Sequence, residues 1–202
     1  RENDFYKRML AIAIPITLQN LITIGINMAD TMMLGSLGEV ALSASALANQ
    51  FSFIFLVIHF GLAGGAGVLT GQFWGKGDKE SISKTLSMMF KISAVFSFTF
   101  FILGQFFPTQ IMRIYTTDPS VIAEGVKYLR ILSFAFLVQG FSTIAIGILR
   151  TVGIVKLALC STSISFFANI FLNWMFIFGN LGAPRLGAAG AAVGTLISRI
   201  IE

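Results

Sequence analysis

The sequence predicts an all-α membrane protein, a bundle of six transmembrane helices, and three observations carry that prediction. Only 11% of the 202 residues are charged while 55% are hydrophobic, against roughly 25% charged in an ordinary soluble domain. The charges also cluster, leaving uncharged runs at 9–29, 40–75, 92–112, 131–149, 157–184 and 186–198. Five of these reach the length of about 18 residues that a bilayer span needs. Glycine and proline then punctuate the gaps, as turn chemistry requires.

The first span covers residues 9–34, with Pro15 in its first half as a candidate bend and Gly35 and Gly38 closing it. Residues 36–43 read as a loop. The second span, 44–73, ends in a glycine-rich half whose Gly61/Gly65, Gly67/Gly71 and Gly71/Gly75 pairs have the spacing that lets two helix backbones approach closely. The charged stretch Lys76–Lys84 leads into a third span, 86–107, which Pro108 ends. Residues 109–127 mix charge with Met and Ile and read as a longer loop or interfacial helix. The run Asp118–Pro119–Ser120 signals the start of a fourth span, 121–149. A basic turn, Arg150–Lys156, precedes a fifth span, 157–178. Gly179–Leu186 is a Gly/Pro turn before a sixth span, 187–202, packed with Gly and Ala. Together they make one transmembrane unit, 1–202. The chain begins at Arg1 and stops just after an apolar block, so it reads as a fragment or truncated form of a longer protein.

Lys and Arg set the orientation. With the amino end inside, the inner segments hold Arg1, Lys7, Arg8, Lys76, Lys79, Lys84, Lys91, Arg150, Lys156 and Arg199, and the outer ones Arg113, Lys127, Arg130 and Arg185. The bias places both ends in the cytoplasm, in an inner membrane of a prokaryote. The net charge of +5 is accounted for by these basic loops, and nucleic acid is not needed as a partner. Six apolar blocks do not fit a secretory signal on a polar mature chain.

One acid stands apart. Asp30 is the sole carboxylate inside an apolar span; Glu2, Asp4, Glu39, Asp78, Glu80, Asp118, Glu124 and Glu202 sit in flanks, loops or ends. A charge at membrane depth is costly and points to function. At about 100° per residue, Gln19, Thr23, Asn27 and Asp30 point at about 0°, 40°, 80° and 20°, a single narrow polar face. The fifth span repeats the pattern with Ser161, Ser165, Asn169 and Asn173 in steps of four, and the fourth offers Gln139, Ser142 and Thr143. Such stripes face other helices or a water-filled cavity. His59, in a Phe/Ile-rich run, reads as a packed, hydrogen-bonded residue.

Catalysis is disfavoured. One histidine and the lone Cys160 cannot build a zinc site or an internal disulfide. There is one intramembrane carboxylate where an aspartyl dyad needs two. No phosphate-binding GxxxxGK[ST] loop or GxSxG elbow is present. The chain is not read as an enzyme, and no cofactor is expected beyond a coupling ion.

Several stretches in order resemble the multidrug and toxic compound extrusion (MATE) family. They are NMADTMMLGSLGEVALSASALANQ (27–50), GQFWGKGDKE (71–80), GILRTVGIVKLAL (147–159) and FFANIFLNWMFIFGNLGAPRLGAAGAAVGTLISR (166–199). The resemblance implies a transporter of twelve helices in two lobes, of which this chain is the amino-terminal one and the carboxy-terminal lobe its partner. It implies export of amphipathic, often cationic small molecules across the lipid bilayer against an inward proton or sodium gradient. By motif, Asp30 falls on the family's first-helix aspartate, a proton or cation site that includes sodium. Asn169 falls on its fifth-helix asparagine, and Asn173 falls where one branch carries a second aspartate. Asp30 would then exchange a proton or sodium for the substrate while Gln19, Thr23, Asn27, Asn169 and Asn173 supply neutral hydrogen bonds and Pro15 serves as hinge. The neutral or acidic stripes favour a cationic or neutral substrate. Two alternatives stay open, a related flippase of lipid-linked sugars and a non-transporting membrane scaffold subunit.

Overall fold

The structure, a computed structural model, describes residues 2–202. Arg1 and the side chains of Lys7 and Arg8, which enter the orientation argument, lie outside what is described. The elements are α1 (Glu2–Gly35), α2 (Glu39–Lys76), α3 (Lys79–Phe106), α4 (Pro108–Tyr115), α5 (Pro119–Thr151), α6 (Val155–Phe178), a 3-10 turn (Asn180–Gly182) and α7 (Ala188–Ile201). Among the described residues, five helices are long and apolar enough to cross a membrane. The sixth apolar one, α7, has 14 residues, about 21 Å of rise at about 1.5 Å per residue.

Local chemistry sets the boundaries. The second span starts at Glu39 rather than residue 44, so the loop shrinks to 36–38. A carboxylate in the first turn complements the helix dipole, which a loop reading of polar residues overlooks. Gly77, at φ 72°, supplies the left-handed residue that stops α2. Asp78 then accepts from the Ser81 amide at 3.0 Å and starts α3 at Lys79 rather than residue 86. The Ser81 hydrogen bonds, with smaller help from Glu80 and Lys84, hold the Asp78 carboxyl below the ordinary carboxylate range. Pro108 ends α3 and opens the short α4 at its first turn, where a missing N–H costs nothing. Asp118 caps α5 through the Ser120 amide at 2.8 Å.

Helix α5 is the most buried of the spans and α1 the least. α5 packs against α2, α3 and α7, and the short α4 folds back on it. The core between α2, α3 and α5 is aromatic: Phe51 and Phe100 have centroids 4.9 Å apart, and Phe55 and Phe136 4.7 Å apart. His59 stacks on Phe55 at 4.0 Å and is fully buried. Its Nδ1 donates to the Phe55 carbonyl at 3.0 Å, which fixes the tautomer and leaves Nε2 to accept from Ser93 Oγ at 3.1 Å. Many large apolar side chains, among them Phe53, Phe98 and Phe167, face outward, the arrangement that lipid rather than water favours.

The glycine pairs of α2 are used unequally. Gly67 and Gly71 face Thr151 of α5, whereas nothing approaches Gly61, Gly65 or Gly75. Spacing alone does not reveal which side of a helix meets a neighbour. The tightest approach against backbone is elsewhere. At Gly190 of α7 an added Cβ would lie 2.6 Å from the Phe176 carbonyl carbon of α6.

α1 packs along α6, with lesser contact to α2 and α7, and its backbone has no close approach to α5. That gap is the most consequential feature of the bundle.

Candidate functional site

The gap between α1, α2 and α5 is a cavity of about 630 Å³. Of the predicted polar face, Gln19, Thr23 and Asn27 line it, joined from α5 by Gln139 and Thr143. Phe60, Val68 and Ile146 supply apolar wall. Gly64 and Gly67 border the cavity too; without side chains they leave it room. A chamber with an apolar wall and a few polar groups is the usual form of a small-molecule site.

Asp30, Asn169 and Asn173 do not line this cavity; they form a second cluster further along α1 and α6. Asn173 Nδ2 donates to Asp30 Oδ1 and, at 3.2 Å, to Asn169 Oδ1. Both partners are acceptors, so the orientation of the Asn173 amide is determined. Asn169 in turn donates to Thr195 Oγ1 and Ser198 Oγ of α7 at 3.4 and 3.5 Å. Asn173 is fully buried, and its Oδ1 has no hydrogen-bond partner among the described residues. Tyr128 of α5, buried and bonded to Asn49, lies within electrostatic reach of Asp30.

The two polar stripes therefore do not face each other along their length. Ser165 donates to the Ser198 carbonyl at 3.0 Å and Ser161 to the Glu202 carbonyl at 2.8 Å. The α6 stripe is mostly spent on α7, and only Asn173 reaches across to α1. Steps of four identify a common face but not the neighbour it meets. Pro15 sits within a continuous helical α1, four residues before Gln19.

Gln19, buried to 3% exposure, ties three helices together. Its Nε2 donates to Thr162 Oγ1 at 2.6 Å and to the Ala158 carbonyl at 3.3 Å, both on α6. Its Oε1 accepts from Nε and Nη2 of Arg150 at 3.0 and 2.6 Å. Arg150 belongs to the last turn of α5 and lines the cavity, as do Arg199 and Glu202. Assigning Arg150 to a basic turn missed this role, as did the description of the site as neutral or acidic. The available signal was its position directly after the apolar run 131–149, which makes it the last residue of a span as easily as the first of a turn.

The MatE family model matches residues 15–175. The probable multidrug resistance protein NorM of Thermotoga maritima is 29% identical over 203 residues, an alignment covering 98% of this chain and 43% of that protein. The probable multidrug resistance protein YoeA of Bacillus subtilis is 28% identical, with 96% and 42% covered. In fold, the chain is similar to a MOP superfamily transporter from Pyrococcus furiosus, with TM-score 0.87 and 22% identity over 96% of this chain and 42% of that one. It is also similar to a MATE transporter in a straight conformation, with TM-score 0.87, 22% identity and the same 96% and 42% covered. The chain spans less than half the length of these relatives.

Proposed function

Because this chain belongs to the MatE family, a family of transporters and not of enzymes, we propose that it is the amino-terminal lobe of a two-lobe secondary transporter. In this reading it exports amphipathic, cationic drugs or toxins in exchange for protons or sodium. It works in an inner membrane with both ends of the lobe cytoplasmic, against a carboxy-terminal lobe that completes the pathway. The observation that carries the reading is the hydrogen bond from Asn173 to Asp30, which holds that carboxylate between α1 and α6.

The chemistry follows from that pair. Ionised, Asp30 attracts a cation; neutralised by a proton or a bound sodium ion, it releases one. The Asn173 amide presents its Nδ2 to the carboxylate, so the bond is strongest when Asp30 is ionised. Thr23 and Asn27 offer neutral hydrogen bonds to a substrate in the cavity. Gln19, whose amide is spent on α5 and α6, holds that wall in place, and Asn169 steadies Asn173. Pro15 lacks the amide that would bond back one turn, so α1 bends there at least cost. Bending moves the Gln19–Asp30 face relative to α5 and α6 and changes the cavity volume.

The test is ethidium efflux by the full-length transporter in drug-sensitive cells. Asp30→Asn, expressed at the wild-type level, is expected to abolish efflux. Wild-type efflux in that variant removes Asp30 from the mechanism. A non-transporting scaffold subunit predicts no efflux from the wild type and, for Asp30→Asn, a change in stability alone. A lipid-flipping assay run in parallel separates this reading from a flippase.

A further inference from the structure

We propose that Arg150 is an anion-recognition residue, which binds a carboxylate group of the amphipathic substrate at the end of the cavity remote from Asp30. This rests on the transport reading above and deepens it, because it names a chemical feature of the substrate.

A guanidinium carries five N–H donors in a planar fork. Gln19 Oε1 takes the edge formed by Nε and Nη2. The Gln19 amide cannot turn over, because its Nε2 is committed to the Ala158 carbonyl and Thr162. The other edge, formed by Nη1 and Nη2, has no acceptor among the described residues. That edge matches a carboxylate bidentately.

Arg150 also has no ion-pair partner among the described residues. Among the described residues the ion pairs are Lys84–Glu80, Lys127–Glu124 and Arg199–Glu202. The other cation of the cavity, Arg199, is thus already neutralised by Glu202 at 2.9 Å. A half-buried cation with no ion-pair partner among the described residues, in a cavity that Phe60, Val68 and Ile146 also line, is a costly arrangement unless an anion completes it. A guanidinium serving only to mark the inner membrane boundary would extend toward water; this one is turned onto α1. Asp30 lies 11 positions further along α1 than Gln19, about 16 Å at about 1.5 Å per residue. The two charges therefore do not cancel each other, and each is left to select its own pole of a substrate.

Three probes of the same shape test this on the purified full-length transporter by equilibrium dialysis: 2-naphthoate, neutral 2-naphthamide and cationic 2-naphthamidine. Wild type is expected to bind naphthoate about tenfold tighter than naphthamide, the ratio given by one charge-assisted hydrogen-bonded contact. Arg150→Gln is expected to bring that ratio to about one. Arg150→Lys, which keeps the charge without the fork, is expected to retain part of the preference and serves if the glutamine variant does not fold. Equal wild-type affinity for naphthoate and naphthamide overturns the proposal. So does an undiminished preference in Arg150→Gln, or the absence of saturable naphthoate binding. Ethidium carries no carboxylate, so failure of the Asp30 test and failure of this one are distinguishable.

Discussion

Asn173 donates its side-chain amide to the carboxylate of Asp30, joining α6 to α1 across 143 residues of chain. The donor is fully buried and is backed by Gly194 of α7, where an added Cβ would press on the Asn173 side chain. Asn173→Ala removes the donor and leaves Asp30 without its partner. The variant is expected to lose about 1–3 kcal/mol of stability and most of its transport. Thermal unfolding in detergent, followed by dye efflux, checks both. A variant with wild-type values for each would show the bond to be incidental.

The contact of α7 with α6 predicts a second effect. Gly190 faces backbone rather than a flexible side chain, with the Phe176 carbonyl carbon 2.6 Å and the Ile177 amide nitrogen 2.9 Å from an added Cβ. Gly190→Ala must push the helices apart and is expected to cost about 1–3 kcal/mol. The same change at Gly61, where nothing lies within reach, is expected to be neutral or slightly stabilising, since alanine is the better helix former. Paired melting curves of the two variants measure the difference.

His59 is expected to be structural. Both ring nitrogens are satisfied inside the aromatic core. His59→Phe keeps the ring but strands the Ser93 hydroxyl, at a cost of about 1–3 kcal/mol, with efflux per folded molecule unchanged. A specific loss of efflux at normal stability would assign the histidine a part in transport.

The turn between α2 and α3 is expected to be acid-sensitive. Asp78 has its folded pKa lowered, chiefly by Ser81, so its capping contribution is fully present above the unfolded value of 3.8 and is lost as pH falls through the folded one. Hydrogen exchange at the Ser81 amide, corrected for intrinsic rate, should show protection falling only below about pH 4. Asp78→Asn, which still caps but does not titrate there, should flatten that dependence.

Much of this architecture is legible in one dimension. Spans follow from charge-free runs, and Asp30 stands out because a carboxylate at that depth is expensive. The wheel puts Gln19, Thr23 and Asn27 on one face, and all three line the cavity. Periodicity does not show what that face meets. Ser165 and Asn169 share a face with Asn173, yet they bond to α7 rather than to α1. Gly61 and Gly65 have packing spacing without a neighbour. Arg150 is read as a turn residue because charges delimit spans, and its inward bond to Gln19 depends on where α1 stands relative to α5. Each of these is a tertiary choice between faces or directions that local pattern leaves equivalent.

Asp30 as the coupling carboxylate is tested most directly in proteoliposomes holding the full-length transporter. Proton or sodium movement is recorded with a fluorescent indicator when ethidium is added to one side. Wild type is expected to move one of the two ions in exchange for the dye, and Asp30→Asn to move neither, with the reconstituted amount of protein equal. Dye-driven ion movement at the wild-type rate in Asp30→Asn would contradict the account.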